Sequence, residues 1–264
     1  MSNIPRKLIV GNWKMHTTVP EGSLLVTRIH KELQNFSYCD IVLCPPSTHL
    51  FALHKEIKAL KTSPRFELGV QNISEYEEGA YTGEISAEMV KQFAKYTIIG
   101  HSERRKFFAE TDIVESKKVT IALRHKLKPI LCVGETSVDR TEGQARQVVL
   151  DRINTDLRGV TAKDLENLVI AYEPIWAIGN GNFAKPAQVE EMVMLIRNVL
   201  AQLYGRMASM NVKVLYGGSV DSDNAKSYLQ LNGVDGFLVG SASLNYKNFA
   251  GIVKATQIKA GINL

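Results

Sequence analysis

Eight short, nearly continuous apolar runs punctuate this chain at regular intervals, and their spacing constrains its fold more than any other feature. They fall at residues 7–10, 40–43, 66–71, 96–99, 129–133, 168–172, 212–216 and 236–239. Runs this short, apolar on both faces of the pleat, predict strands buried on both sides of a parallel sheet. Longer amphipathic segments lie between them, and residues 22–33, 86–95, 111–124 and 189–203 read as helices. Pro186 stands where a first helical turn would begin, while Ser86 with Glu88, and Ser243, read as helix starts. Eight units over 264 residues average 33 residues each. That is the size of a βα unit, and eight of them close into a (β/α)8 barrel. A doubly wound open sheet is the main competitor, because periodicity cannot count closure. No Pro-, Gly- or Ser-rich stretch splits the chain, so residues 1–264 read as one domain.

Charge and cysteine usage narrow the functional classes. The net charge of +5 favours an anionic ligand, but the basic residues are scattered along helices rather than clustered with aromatic platforms. No nucleic-acid partner is therefore expected. Cys39, Cys44 and Cys132 form no CxxC pair, and an odd count argues against a disulfide framework. Residues 8–10 are too short a run for a signal-peptide core, and Glu173 and Pro174 interrupt the apolar segment 168–179 well short of a membrane span. A cytoplasmic protein with no membrane partner is the expectation.

The residues able to do chemistry share one location, immediately after a strand. Asn12 and Lys14 follow the first, His101 the fourth, and Glu173 closes the sixth. Gly217-Gly218-Ser219 follow the seventh and Gly240-Ser241 the eighth. In a closed parallel barrel all these loops open on the C-terminal face, so five separated segments converge on one pocket. Any one of them has a plainer reading: Lys14 as a solvated loop lysine, His101 as a structural histidine, 104–106 as a solvated basic face. Glu173 resists one. A carboxylate ending an apolar run and held extended by Pro174 would be desolvated without purpose unless it acts there, and general base is its natural role.

The turn Ser102-Glu103-Arg104-Arg105 would place the His101 imidazole near the positive end of a helix, favouring the neutral form. Residues 175–181 are either a greasy turn or a lid that excludes water. The glycine segments after strands 7 and 8, placed at helix starts, would cradle a phosphate with backbone N–H groups. Other chemistries fit less well. His49 and His54, five apart, lie on different faces of a helix and make no zinc pair, so no metal site is expected. No dinucleotide fingerprint follows a strand, no Ser–His or Cys–His spacing suggests a nucleophile, and Cys132 reads mainly as packing.

Six segments then resemble the triosephosphate isomerase family: 11–15 (Gly-Asn-Trp-Lys-Met), 79–84, 100–105 (Gly-His-Ser-Glu-Arg-Arg), 132–136, 171–179 and 216–219. The likeness runs nearly the whole chain. It implies a (β/α)8 TIM barrel that interconverts dihydroxyacetone phosphate and D-glyceraldehyde 3-phosphate without a cofactor. By that likeness Glu173 is the base, His101 polarises the carbonyl and shuttles protons between oxygens, Lys14 supplies positive charge, and Asn12 donates beside it. Ser102 and Glu103 stand behind them, Glu103 near Lys14. The N–H groups of Gly179, Ser219, Gly240 and Ser241 would hold the phosphate, beneath a lid spanning 174–184. The resemblance also implies a homodimer through the long segment 71–84, with Thr82 near Asn12 and Lys14 of the partner.

Departures from the family pattern are Asn180-Gly181-Asn182-Phe183 in the lid, Ser241 where a second glycine is usual, and His16 where Asn is usual. They bear on lid kinetics and phosphate affinity rather than on reaction class. The alternatives are another phosphosugar isomerase or aldolase on the same barrel, or a non-catalytic basic binding protein. An aldolase would want a lysine inside a strand for a Schiff base, and no strand candidate carries an obvious one.

Overall fold

A computed structural model describes residues 6–60, 66–178 and 182–260. Its strands are β1 (Lys7–Asn12), β2 (Cys39–Cys44), β3 (Phe66–Val70), β4 (Tyr96–Ile99), β5 (Lys128–Val133), β6 (Val169–Tyr172), β7 (Lys213–Tyr216) and β8 (Gly236–Val239). Each pairs in parallel with the next, and β8 returns to β1 through Leu8↔Gly236 and Val10↔Leu238. The sheet is therefore closed, which decides against the open doubly wound alternative. Around it run α1 (Val19–Glu32), α2 (Leu50–Ala59), α3 (Ala87–Val90), α4 (Ser102–Phe108), α5 (Asp112–Arg124), α6 (Ser137–Thr141), α7 (Ala145–Asp156), α8 (Pro186–Tyr204), α9 (Arg206–Ser209), α10 (Ala225–Leu229) and α11 (Tyr246–Lys254).

Strand alternation explains the apolar runs. Leu8, Val10, Val42, Ile98, Ile130, Cys132, Ala171, Leu215 and Leu238 point inward and fill the barrel's interior. Their neighbours Ile9, Ile41, Leu43, Ile99, Leu131, Ile170 and Val214 point outward and pack beneath the helices. Both pleat faces are thus buried, and burying such a side chain contributes roughly 1.5–3 kcal/mol. Cys132 sits in the inner layer, consistent with its reading as packing.

Boundaries differ from the sequence reading in several places, each for a local reason. Strand β1 runs two residues further, so Asn12 ends the strand instead of following it, its register held opposite Cys44. Gln71 lies outside β3. The helix expected over 86–95 is one short piece, Ala87–Val90; Ser86 does cap it, accepting from the Met89 N–H at 3.3 Å. Helix α8 begins at Pro186, as the N-terminal preference of proline implies. Ser243 does not start a helix. It lies in the 3-10 turn Ser241–Leu244, and Asn245 caps α11 by accepting from the N–H groups of Lys247 and Asn248. No described helix is long and apolar enough to cross a membrane.

Candidate active site

The strand ends converge on one cavity of about 700 Å³ at the C-terminal mouth of the barrel. Asn12, Lys14, His101, Glu103, Glu173, Ser219, Gly240 and Ser241 all line it. Ser102 does not line it but stands directly behind Glu173. Gly179 of the expected phosphate cradle, and Asn180 and Gly181 of the lid, lie outside the described residues.

Lys14 reaches the cavity through an unusual backbone. Its φ is +54°, a left-handed value costly for a residue with a side chain. Two contacts hold it there. Asn12 Oδ1 accepts from the Lys14 N–H at 3.1 Å, and Gln71 Nε2 donates to the Lys14 carbonyl at 2.8 Å and to that of Cys44 at 2.9 Å. The ammonium is thereby turned inward, where it meets Glu103 Oε1 at 2.6 Å. A Cβ built on Gly240 would stand only 3.9 Å from the Lys14 Nζ, so the loop after β8 passes beside the ammonium. Ser243 ties that loop down, its hydroxyl donating to the Gly240 carbonyl at 2.7 Å. Gln71 and Ser243 are positioning residues that sequence reasoning misses. For Gln71 the available signal is a polar side chain that ends a run in which Glu67 is the other polar residue.

His101 occupies the N-cap of α4 and is buried. Its Nδ1 accepts from the Glu103 N–H at 3.2 Å, so this nitrogen carries no proton and Nε2 carries the N–H of a neutral ring. That N–H points into the cavity, 3.3 Å from Glu173 Oε1. Glu173 is 2% exposed, its other oxygen accepting from the Ser102 N–H at 3.2 Å. The backbone N–H of Glu173 donates to the Val133 carbonyl at 2.8 Å, extending the β5–β6 ladder by one rung and fixing where the side chain leaves the sheet. Gly134 makes room for this turn, since a Cβ there would overlap the Glu173 carbonyl.

The segment after Glu173 is anchored from below. Glu135, fully buried, accepts at Oε1 from Trp176 Nε1 at 2.8 Å, Arg140 Nη1 at 2.7 Å and the Tyr172 hydroxyl at 3.1 Å. Burial and the neighbouring Glu135 carboxylate push the Tyr172 phenol well above its ordinary range, so it stays a donor. On the far side Tyr228 donates to the Ala184 carbonyl at 2.7 Å. Phe183, half exposed, and His16 both face the cavity.

The expected phosphate cradle differs in one respect. Neither glycine segment begins an α-helix: α10 starts only at Ala225, and after β8 there is a single 3-10 turn. The Ser219 N–H and hydroxyl both donate to the Ala177 carbonyl, at 3.3 and 2.8 Å, linking this loop to the segment after Glu173. His49 and His54 contact different partners. His49 lies between the hydroxyls of Thr17 and Thr48, and His54 contacts the Phe93 carbonyl.

Chemically, the cavity sets a proton acceptor beside a neutral N–H donor, with an ammonium on the same wall. Such a set can take a proton from carbon while the adjacent oxygen gathers negative charge. Comparison with known proteins gives the chain a family. The triosephosphate isomerase family model matches residues 7–256. The chain belongs to the triosephosphate isomerase family. Triosephosphate isomerases of Caldanaerobacter subterraneus and of a Thermoanaerobacter species are each 44% identical to it over 249 residues, covering 94% of this chain and 98% of theirs. That of Herpetosiphon aurantiacus is 42% identical over 250 residues, covering 94% and 98%. Membership makes the chain an enzyme of aldose–ketose isomerase type.

Proposed function

We propose that this enzyme interconverts dihydroxyacetone phosphate and D-glyceraldehyde 3-phosphate through an enediolate. The observation that carries the reading is the 3.3 Å approach of Glu173 Oε1 to His101 Nε2 in a cavity shared with Lys14. Glu173 removes a proton from the carbon beside the carbonyl and returns it to the neighbouring carbon. His101, neutral and donating through Nε2, polarises the carbonyl oxygen and passes protons between the two oxygens. Lys14 and Asn12 stabilise the growing negative charge. Ser102 holds Glu173 ready through its N–H, and Glu103 orients both Lys14 and the His101 ring. A proton shift between adjacent carbons leaves the overall oxidation state unchanged, so this chemistry calls for no redox cofactor.

The phosphate sits at Gly240 and Ser241, with Gly179 and Ser219 completing its cradle as the loop 174–184 closes. Closure exchanges one hydrogen bond for another: the Ser219 N–H leaves the Ala177 carbonyl for the phosphate. Excluding water in this way prevents the enediolate from expelling phosphate. Residues 1–264 act as one barrel domain, in a cytoplasmic homodimer joined through the segment 71–84. That segment presents Tyr76 and Tyr81 stacked with ring centroids 3.9 Å apart, the residues 41% and 42% exposed, close in sequence to exposed Thr82. Met15, 96% exposed beside Lys14, offers an apolar side chain to the same partner. Three free, buried thiols suit a reducing compartment.

The test is a coupled assay on D-glyceraldehyde 3-phosphate with no added metal or cofactor, run on wild type and Glu173→Gln. Loss of the base lowers turnover by roughly 10²–10⁴-fold while inorganic phosphate still inhibits, because the cradle is intact. Near-normal turnover in the variant would mean that Glu173 is not the base.

A further inference from the structure

Behind β4 and β5, outside the barrel, lies a buried charged cluster for which the reaction has no direct use. Arg105 from α4 is its centre. Its guanidinium pairs with Asp112, with Glu115 and, at 3.2 Å, with Asp156 Oδ2, while its Nε donates to the Gly100 carbonyl at 3.2 Å. Glu115 and Asp156 are fully buried, on α5 and α7. The cation that these three carboxyl groups surround is thus the guanidinium itself. One turn before Asp156, Arg152 donates through Nη1 to the Gly134 carbonyl.

The two carbonyls held in this way matter because of what each adjoins. Gly100 is joined by its carbonyl to His101 and takes a φ of +73°, and a Cβ there would stand 2.8 Å from Glu115 Oε2. Gly134 lies against the backbone of Glu173 so closely that no side chain fits between them. The cluster therefore grips, from outside, the peptide that carries the histidine and the residue on which the glutamate rests. Burying charges is a poor way to gain stability, since well-packed apolar residues at such sites are often neutral or better. Their value lies in fixed geometry.

We propose that Glu115, Asp156 and Arg152 act with Arg105 as a positioning network that sets the spacing between His101 and Glu173. Glu115 holds the network together. Removing its carboxyl frees the Arg105 guanidinium to tilt toward Asp112 and Asp156, which carries the Gly100 peptide, and hence the imidazole, out of line. Burial pushes the Glu115 carboxyl up to about 9 despite Arg105, so a neutral amide of the same shape is a fair replacement near neutral pH.

The inference rests on His101 and Glu173 being the reacting pair, so the same assay series includes His101→Gln and Glu173→Gln. If those retain turnover, the reading of the site fails. If they lose turnover, the outer variants judge the network alone. Glu115→Leu is expected to lower kcat about tenfold with KM and inhibition by inorganic phosphate within about twofold. Glu115→Gln should restore kcat to within about twofold of wild type at pH 6–7. Arg152→Met, which loses the donation to Gly134 and the positive charge beside Asp112, Glu115 and Asp156, should give the same split and decides the matter if Glu115→Leu does not fold. Unchanged kcat in the outer variants, or kcat, KM and melting temperature moving together, would overturn the proposal.

Discussion

Gly217→Ala tests how finely Glu173 must be placed. Gly217 follows β7 and takes no left-handed backbone angle, so alanine can adopt its conformation. Its added methyl, however, would lie 2.9 Å from Glu173 Cγ, 3.4 Å from the Tyr172 carbonyl and 3.7 Å from Glu173 Oε1. Ordinary contact begins near 3.4 Å, so the side chain of Glu173 must retreat by about 0.5 Å. A misplacement of about 1 Å costs on the order of 10²-fold in rate, so half of that corresponds to roughly tenfold, about 1.4 kcal/mol in the barrier. The carboxylate has little choice of direction, because the Ser102 N–H and the His101 ring flank it. Steady-state kinetics on D-glyceraldehyde 3-phosphate should show kcat lowered by that factor with KM little changed. Thermal unfolding serves as the control for a folded barrel. A variant with wild-type kcat would refute the claim that this spacing governs the rate. A KM that rises in proportion to the loss would move the effect to the phosphate loop instead.

Three further outcomes follow from other parts of the structure. Burial raises the Asp156 carboxyl from 3.8 to about 7 against the opposing pull of Arg105, so between these values the folded chain holds more protons than the unfolded one. Wild type should therefore lose stability relative to Asp156→Asn as pH climbs from about 4 to 7. Urea titrations across that range measure the slope, and the opposite sign would contradict the assignment. Asp235→Ala strips Arg197 Nη2 and the Val214 N–H of a shared acceptor at 2.5 and 2.9 Å, and should destabilise by about 1–3 kcal/mol in denaturant unfolding. A change within about 0.5 kcal/mol, the range of ordinary surface substitutions, would mean that water replaces the carboxylate. Light scattering should give a dimer for wild type, shifted toward monomer with lost turnover in Tyr81→Glu. A fully active monomer would contradict the dimer-forming role of segment 71–84.

Much of the barrel is legible in the sequence because its strands are buried on both faces. Leu8 and Val10 fill the interior while Ile9 packs outward, so the run lacks alternation and announces itself as a strand. Closure is not legible in any single run; it depends on β8 reaching β1 across most of the chain. The cavity residues are legible as polar groups at the ends of apolar runs, Glu173 most of all. What escapes is what depends on distant partners. Ser243 reads as a cap because serine caps helices, whereas in the fold its hydroxyl binds the Gly240 carbonyl and Asn245 does the capping. Segment 86–95 carries a helical pattern that ends after one turn, as Phe93 and Ala94 turn in toward the core. Arg105 reads as a solvated charge, because its carboxylate partners Glu115 and Asp156 lie 10 and 51 positions away.

The central claim is that carbon-bound hydrogen moves as a proton through Glu173, and turnover in D2O tests it most directly. With D-glyceraldehyde 3-phosphate as substrate and the dihydroxyacetone phosphate recovered, a carboxylate that exchanges with solvent places deuterium on the carbon receiving the proton. Wild type should carry that label, and Glu173→Gln should turn over too slowly to accumulate it. Isomerisation by Glu173→Gln at the wild-type rate, with or without deuterium on carbon, would contradict a proton relay through Glu173.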